Sequence, residues 1–188
     1  MIKVGITGSI ASGKTTASKL ISKKRGLLFS ADKVVQRLYK KKSFRKIVAE
    51  KINLKKKFRF KSEIKKMIFK EPKTLRKLEK IIHPFVRKEM FIFIKKFKNK
   101  KFLFFEIPLL VESNLVKYFD IIIFIKSRKK IRMKRFQSKK GNKKLFKLLD
   151  ENQIKDTKKM RFCDYIIVNN KSLSVLKKNL SNIIKLYE

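Results

Sequence analysis

Residues 8–15 read Gly8-Ser9-Ile10-Ala11-Ser12-Gly13-Lys14-Thr15, and no other stretch of the chain restricts its fold as strongly. This is a complete G-x-x-x-x-G-K-[ST] phosphate-binding loop. Its glycines let the backbone wrap an anion with successive N–H groups pointing inward, and the helix that follows adds the partial positive charge of its N-terminus. Lys14 is placed to reach β- and γ-phosphates, and the Thr15 hydroxyl to ligate Mg²⁺. The chain has only 5 glycines, so a chance match is expected in about a few per thousand sequences of this composition. The context also fits. Residues 1–7 are short, apolar and β-branched, as in a buried strand, and residues 15–24 carry Ala17, Leu20 and Ile21 on one side of a helix. Strand, glycine loop and helix form half of a βαβ unit, so the pattern predicts an α/β fold with a parallel sheet.

The rest of the chain extends that reading. A second strand at Leu27–Phe29 ends at Ser30-Ala31-Asp32. From 33 to 98 the spacing turns helical, with Val34, Val35, Leu38, Leu75, Leu78, Ile81 and Ile82 at offsets of three and four, and Pro72 and Pro84 predict breaks. Near-continuous apolar runs at Phe102–Ile107 and Asp120–Ile125 have the character of strands buried on both faces. A basic segment over 128–141 is followed by a helix at Leu145–Arg161, a strand at Tyr165–Val168 and a closing amphipathic helix at Leu173–Tyr187. The expected organisation is a core made of 1–32, 99–127 and 142–188, a helical insertion at 33–98 and a lid at 128–141.

Lys and Arg number 54 against 14 Asp and Glu, a net charge of 54 − 14 = +40. The basic runs (Lys40–Lys42, Lys55–Lys57, Lys100-Lys101, Lys129-Lys130, Lys139-Lys140 and Lys177-Lys178) are scattered along the whole length. That is the distribution of a solvated Lys-rich surface rather than of a dedicated nucleic-acid face, and it attracts anionic ligands in general. A 43% hydrophobic content with 17 Phe supplies a real core despite the charge. One cysteine, Cys163, excludes an intramolecular disulfide, and no stretch of about 20 apolar residues is present to span a membrane. Nothing at the N-terminus reads as a secretory leader, so a cytoplasmic protein is expected.

A phosphate loop specifies nucleotide binding but not the reaction. Asp32 falls just past the second strand, at the sheet edge where ligands of open α/β folds bind, and a carboxylate there can take the proton of an attacking hydroxyl; a helix N-cap is its bland alternative. Glu106 ends the third strand and suits a metal or its water, while Glu112 is a substrate or lid contact or a surface carboxylate. His83, the only histidine, precedes Pro84 and lies one helical turn from Arg87, so the two can face one anionic group or serve structure. Arg128, Arg132, Arg135 and Lys139 recur at three- and four-residue spacing, which suits a lid face that neutralises triphosphate; a solvated basic face is the alternative. Arg135 is the preferred functional member.

In order along the chain, these pieces resemble the dephospho-CoA kinase family. The resemblance rests on Gly5-Ile6-Thr7-Gly8 through Thr15-Thr16, Ser30-Ala31-Asp32 with Arg37, Leu78-Glu79 with Ile82-His83-Pro84 and Val86-Arg87, Pro108-Leu109-Leu110-Val111-Glu112, Arg135, Gln153 with Lys159, and Asp164 to Asn169. It implies a P-loop NTPase three-layer α/β/α fold and transfer of the γ-phosphoryl of ATP to the ribose 3′-hydroxyl of dephospho-CoA, with Mg²⁺. It assigns the nucleotide to Gly8, Ala11, Ser12, Gly13, Lys14, Thr15 and Thr16, catalysis to Asp32, Lys14 and Arg135, the acceptor to His83, Arg87 and Glu112, and the metal to Thr15 and Glu106. The expected partners are ATP and dephospho-CoA, with no membrane or specific nucleic acid and a monomer or weak homo-oligomer. Three positions depart from the family pattern: Ser30 stands where Asp is usual, Glu106 where Asp is common, and Lys139 where a second lid Arg is frequent. Ser9 replaces a common glycine and is tolerable if its backbone angle permits. The rival readings are another P-loop nucleotide or nucleoside kinase, and a basic nucleic-acid-binding protein with a vestigial phosphate loop.

Overall fold

The computed structural model describes residues 1–54 and 59–188; the basic run Lys55–Lys57 lies outside them. The chain divides into two compact units, residues 1–30 with 96–188, and residues 31–95.

The first unit is built on a parallel sheet in the order β2-β3-β1-β4-β5. Its strands are β1 (Ile2–Thr7), β2 (Gly26–Ser30), β3 (Phe102–Glu106), β4 (Ile121–Lys126) and β5 (Tyr165–Val168). β1 is central, paired with β3 on one side and β4 on the other. One sheet face packs on α1 (Lys14–Ser22) and α9 (Leu173–Lys185) through Val4, Ile6, Phe104, Ile123 and Ile125 against Ala17, Ile21, Leu176, Leu180 and Ile184. The alternate residues of the same strands, Leu103, Phe105, Ile122 and Phe124, are equally buried. Burial of both faces explains why these strands read as continuous apolar runs rather than alternating ones.

The second unit is helical: α2 (Ala31–Leu38), α3 (Lys42–Lys51), α4 (Phe60–Lys70) and α5 (Lys73–Lys96), whose last residue belongs to the first unit. Tyr39, Phe44, Phe60 and Phe85 form an aromatic cluster with ring centroids 5.1 to 5.8 Å apart. The predicted break at Pro84 is absent, and α5 runs through it. Proline removes one backbone hydrogen bond and costs about 3 kcal/mol. Leu78, Ile81, Val86 and Met90, all buried along this helix, offset that cost, since each apolar side chain contributes about 1.5–3 kcal/mol. Pro72, by contrast, does sit at a boundary, directly before α5.

The remaining first-unit helices are α6 (Lys129–Gln137), α7 (Lys143–Asn152) and α8 (Asp156–Met160). The helix expected over 145–161 is therefore two helices, interrupted at Gln153–Lys155, where tertiary hydrogen bonds replace helical ones. No helix among the described residues is long and apolar enough to cross a membrane.

Candidate active site

Parallel pairing brings the carboxyl ends of three strands together: Glu106 of β3 is in register with Ile6 of β1 and with Ser30 of β2. Ligands of open α/β sheets bind at that edge. The phosphate loop leaves β1 there. Gly8 has φ +146°, and a Cβ on it would stand 2.4 Å from the Ile125 carbonyl oxygen. Gly13, the residue before α1, has φ +102°, and a Cβ would stand 2.2 Å from Asn169 Nδ2. Both positions require glycine for conformation and for space. Ser9 is not among the positive-φ residues, so the serine sits in this loop without backbone strain.

Lys14 is buried, and its ammonium donates to the carbonyls of Gly8 (3.0 Å) and Ser9 (2.8 Å), which holds it over the loop. The Ser12 hydroxyl is buried with no hydrogen-bond partner among the described residues. Thr15 and Thr16 are exposed at the start of α1. The Thr15 hydroxyl donates to Glu106 Oε1, and the Ser30 hydroxyl to Glu106 Oε2 at 3.1 Å. Glu106 is only 2% exposed, so both of its oxygens are occupied by hydroxyl donors that a hard cation can replace. This oxygen-rich donor set fits Mg²⁺.

α6 does not present its basic residues as one face. Arg132 turns inward, 6% exposed, and makes a 2.5 Å ion pair with Asp150 of α7 while donating to the carbonyls of Ser127 and Ile10. Arg128 is the residue preceding α6 and Lys139 lies beyond its end; both are exposed. Arg135 is tied to the loop: its guanidinium donates to the Ser12 carbonyl (3.2 Å) and the Asn169 carbonyl (3.2 Å).

Three further residues meet the loop without a role assigned from sequence: Asn169 and Gln153 entered there only among the positions that carry the resemblance, and Asp156 not at all. Asn169, just past β5, donates from its side chain to the Ser12 carbonyl at 2.9 Å. Gln153 accepts from Ile10 N at 3.2 Å, and the Asp156 carboxylate accepts from the Ser9 hydroxyl. Asn169 was findable, since residues at strand carboxyl ends are where such folds bind ligands; Gln153 and Asp156 carry no local signal. Glu112, in the loop after β3, has protein partners: Lys159 Nζ at 2.5 Å and the Ile154 N–H at 3.2 Å.

In the helical unit, Asp32 occupies the first turn of α2 and is exposed. His83 and Arg87 line one open depression of α5 together with Lys80, Lys88, Phe91 and Ile92. This combines cationic and apolar surface, as an anionic ligand with an apolar portion requires.

Cys163 is no candidate nucleophile. Burial and the neighbouring Asp164 charge push its thiol up to about 12, against a smaller opposing effect of Lys159. At pH 8 only about one thiol in 10⁴ is ionised. Iodoacetamide at that pH is expected to leave Cys163 unmodified and activity intact; rapid alkylation by mass spectrometry would contradict this.

The sequence comparisons agree with the site. The dephospho-CoA kinase family model matches residues 2–174. The dephospho-CoA kinase of Fusobacterium nucleatum is 31% identical over 190 residues, covering 94% of each chain. That of Rickettsia typhi is 30% identical, covering 98% of this chain and 97% of its own. The solved structure of dephospho-CoA kinase from Campylobacter jejuni superposes with a TM-score of 0.64 at 26% identity, covering 97% of this chain and 95% of that one.

Proposed function

We propose a division of labour among the site residues from one established point: the chain belongs to the dephospho-CoA kinase family. It therefore transfers the γ-phosphoryl of ATP to the ribose 3′-hydroxyl of dephospho-CoA, giving coenzyme A and ADP in the last step of coenzyme A synthesis. The observation that carries the assignment is the Thr15–Glu106 contact, which joins the phosphate loop to a buried carboxylate at the end of β3.

In this reading the triphosphate lies in the loop of Gly8, Ala11, Ser12, Gly13, Lys14, Thr15 and Thr16, with the Ser12 hydroxyl supplying a donor that has no partner among the described residues. Thr15 and Glu106 would hold Mg²⁺, which when bound neutralises charge on the β- and γ-phosphates. Lys14 and Arg135 stabilise the charge that moves toward the leaving ADP oxygen. The acceptor is recognised in the helical unit by His83 and Arg87. Asp32 orients the 3′-hydroxyl and takes its proton as the oxygen bonds to the γ-phosphorus and the bond from that phosphorus to the ADP oxygen breaks. Every residue invoked comes from one chain, as a monomer or weak homo-oligomer allows, and the reading places the reaction in the cytoplasm.

The test is ADP release from ATP and Mg²⁺ with dephospho-CoA, beside AMP, adenosine or phosphopantetheine as acceptors. Turnover is expected with dephospho-CoA alone; preference for another acceptor would reassign the helical unit. Asp32→Asn keeps the side chain's size while removing its basicity. Because the transition state of phosphoryl transfer is loose, the hydroxyl proton leaves late and the base contributes at the low end of its usual range. A kcat loss of about 10²-fold with unchanged KM values is expected. A loss below threefold would remove Asp32 from the chemistry.

A further inference from the structure

The stretch from Gln153, after α7, to Asp156, the first residue of α8, touches the phosphate loop at two consecutive residues. Gln153 Oε1 accepts from Ile10 N at 3.2 Å, and the Asp156 carboxylate accepts from the Ser9 hydroxyl. Ser9 and Ile10 belong to the stretch of loop that wraps the phosphates, and the Ser9 carbonyl is also one of the two oxygens holding Lys14. A displacement of 153–156 would therefore carry the loop backbone and the lysine with it.

One carboxylate staples this segment from behind. Glu112 Oε1 accepts from the N–H of Ile154, immediately after Gln153, and lies 2.5 Å from Lys159 Nζ on α8. Lys159 is fully buried and Glu112 nearly so, with side-chain exposures of 0% and 15%. A buried ion pair adds little stability over an apolar pair of the same volume, but it tolerates only one geometry because a misplaced partner leaves an uncompensated charge. Here that geometry sets the position of Gln153 and Asp156.

We propose that Glu112 and Lys159 are positioning residues for ATP: their ion pair fixes the 153–156 segment, which holds the phosphate loop in its anion-binding shape before the nucleotide arrives. A preorganised loop avoids an ordering cost on binding, so loosening it weakens ATP and leaves the acceptor unaffected. The proposal rests on the kinase reading above for the identity of the nucleotide.

The experiment uses the full chain, with Glu112→Gln, Gln153→Ala and the double variant. ATP dissociation constants are measured with a fluorescent ATP analogue in the absence of acceptor, and KM for ATP and for dephospho-CoA, with kcat, in its presence. Gln153 lies outside the ion pair, so Gln153→Ala keeps the test open if Glu112→Gln folds poorly. Loss of one hydrogen-bonded restraint is expected to raise the ATP dissociation constant and KM about tenfold in each single variant, with KM for dephospho-CoA within about twofold. The double variant is expected to be no worse than about twofold beyond the weaker single, because both act through one segment. Unchanged ATP binding in Gln153→Ala, multiplicative losses in the double variant, or a rise confined to KM for dephospho-CoA would each overturn the proposal; the last would make Glu112 an acceptor contact. Since ATP binding is read without acceptor, wild-type protein that binds ATP yet fails to phosphorylate dephospho-CoA would sink the reaction assignment and leave this proposal to be decided separately.

Discussion

Lys14→Met is expected to lower kcat by about 10³-fold while KM for dephospho-CoA stays within a few-fold of wild type. The Lys14 ammonium is held over the phosphate loop by two of the loop's own carbonyls, those of Gly8 and Ser9. It is buried, so solvent screens it little and no water takes over its charge. Removing one preorganised donor aimed at developing charge costs about 10²–10³-fold, and a full positive charge belongs at the upper end. Methionine preserves the length and apolar stem of lysine, so the fold is retained and the loss is chemical. The effect exceeds that of Asp32→Asn because a loose phosphoryl transition state depends on charge stabilisation more than on proton removal. The check is steady-state kinetics with both substrates, beside a thermal melt. A kcat within tenfold of wild type would show that Arg135 or the metal supplies the charge, and Lys14 would leave the catalytic set.

The largest stability effect is expected at Arg132, whose guanidinium is taken up by protein partners rather than presented on a basic face. Its guanidinium is buried against Asp150 at 2.5 Å and also satisfies the carbonyls of Ser127 and Ile10. Truncating one member of such a pair typically costs about 3–5 kcal/mol. Lys129 also lies 3.3 Å from Asp150 and takes over part of its charge, so the expected loss for Arg132→Met is about 3 kcal/mol, which lowers Tm by roughly 6–12 °C. Arg132→Met with Asp150→Leu removes both charges and recovers most of the loss. Melts followed by circular dichroism decide it. Equal destabilisation by the single and double variants would mean that the contacts to Ser127 and Ile10, rather than the ion pair, hold this corner together.

These two residues mark where sequence reading works. Lys14 is legible in the phosphate-loop motif because the whole motif is local: eight consecutive residues, with a strand before and a helix after. Arg132 was grouped with Arg128, Arg135 and Lys139 on spacing alone. Spacing establishes which side chains share a helix face, but not which face turns inward or whether the helix reaches as far as Lys139. The continuous helix read over 145–161 failed for a related reason. No proline or glycine marks residues 153–155, and the interruption comes from Glu112 and Ile10, both distant in sequence.

Pro84 is the converse case. The local rule predicts a break, and a row of buried apolar side chains along α5 overrides it.

The amino-acid sequence by itself determined the α/β class, the five strands, the helical insertion and the phosphate loop, because each is written in contiguous residues whose periodicity or spacing has a direct physical meaning. Only the tertiary structure decided that Thr15 and Ser30 both donate to Glu106, that Arg135 and Asn169 meet the Ser12 carbonyl, and that Glu112 belongs to Lys159. Those pairs join residues 47 to 157 positions apart. Their meeting depends on strand register and on the burial of each partner, and no local window of sequence encodes either.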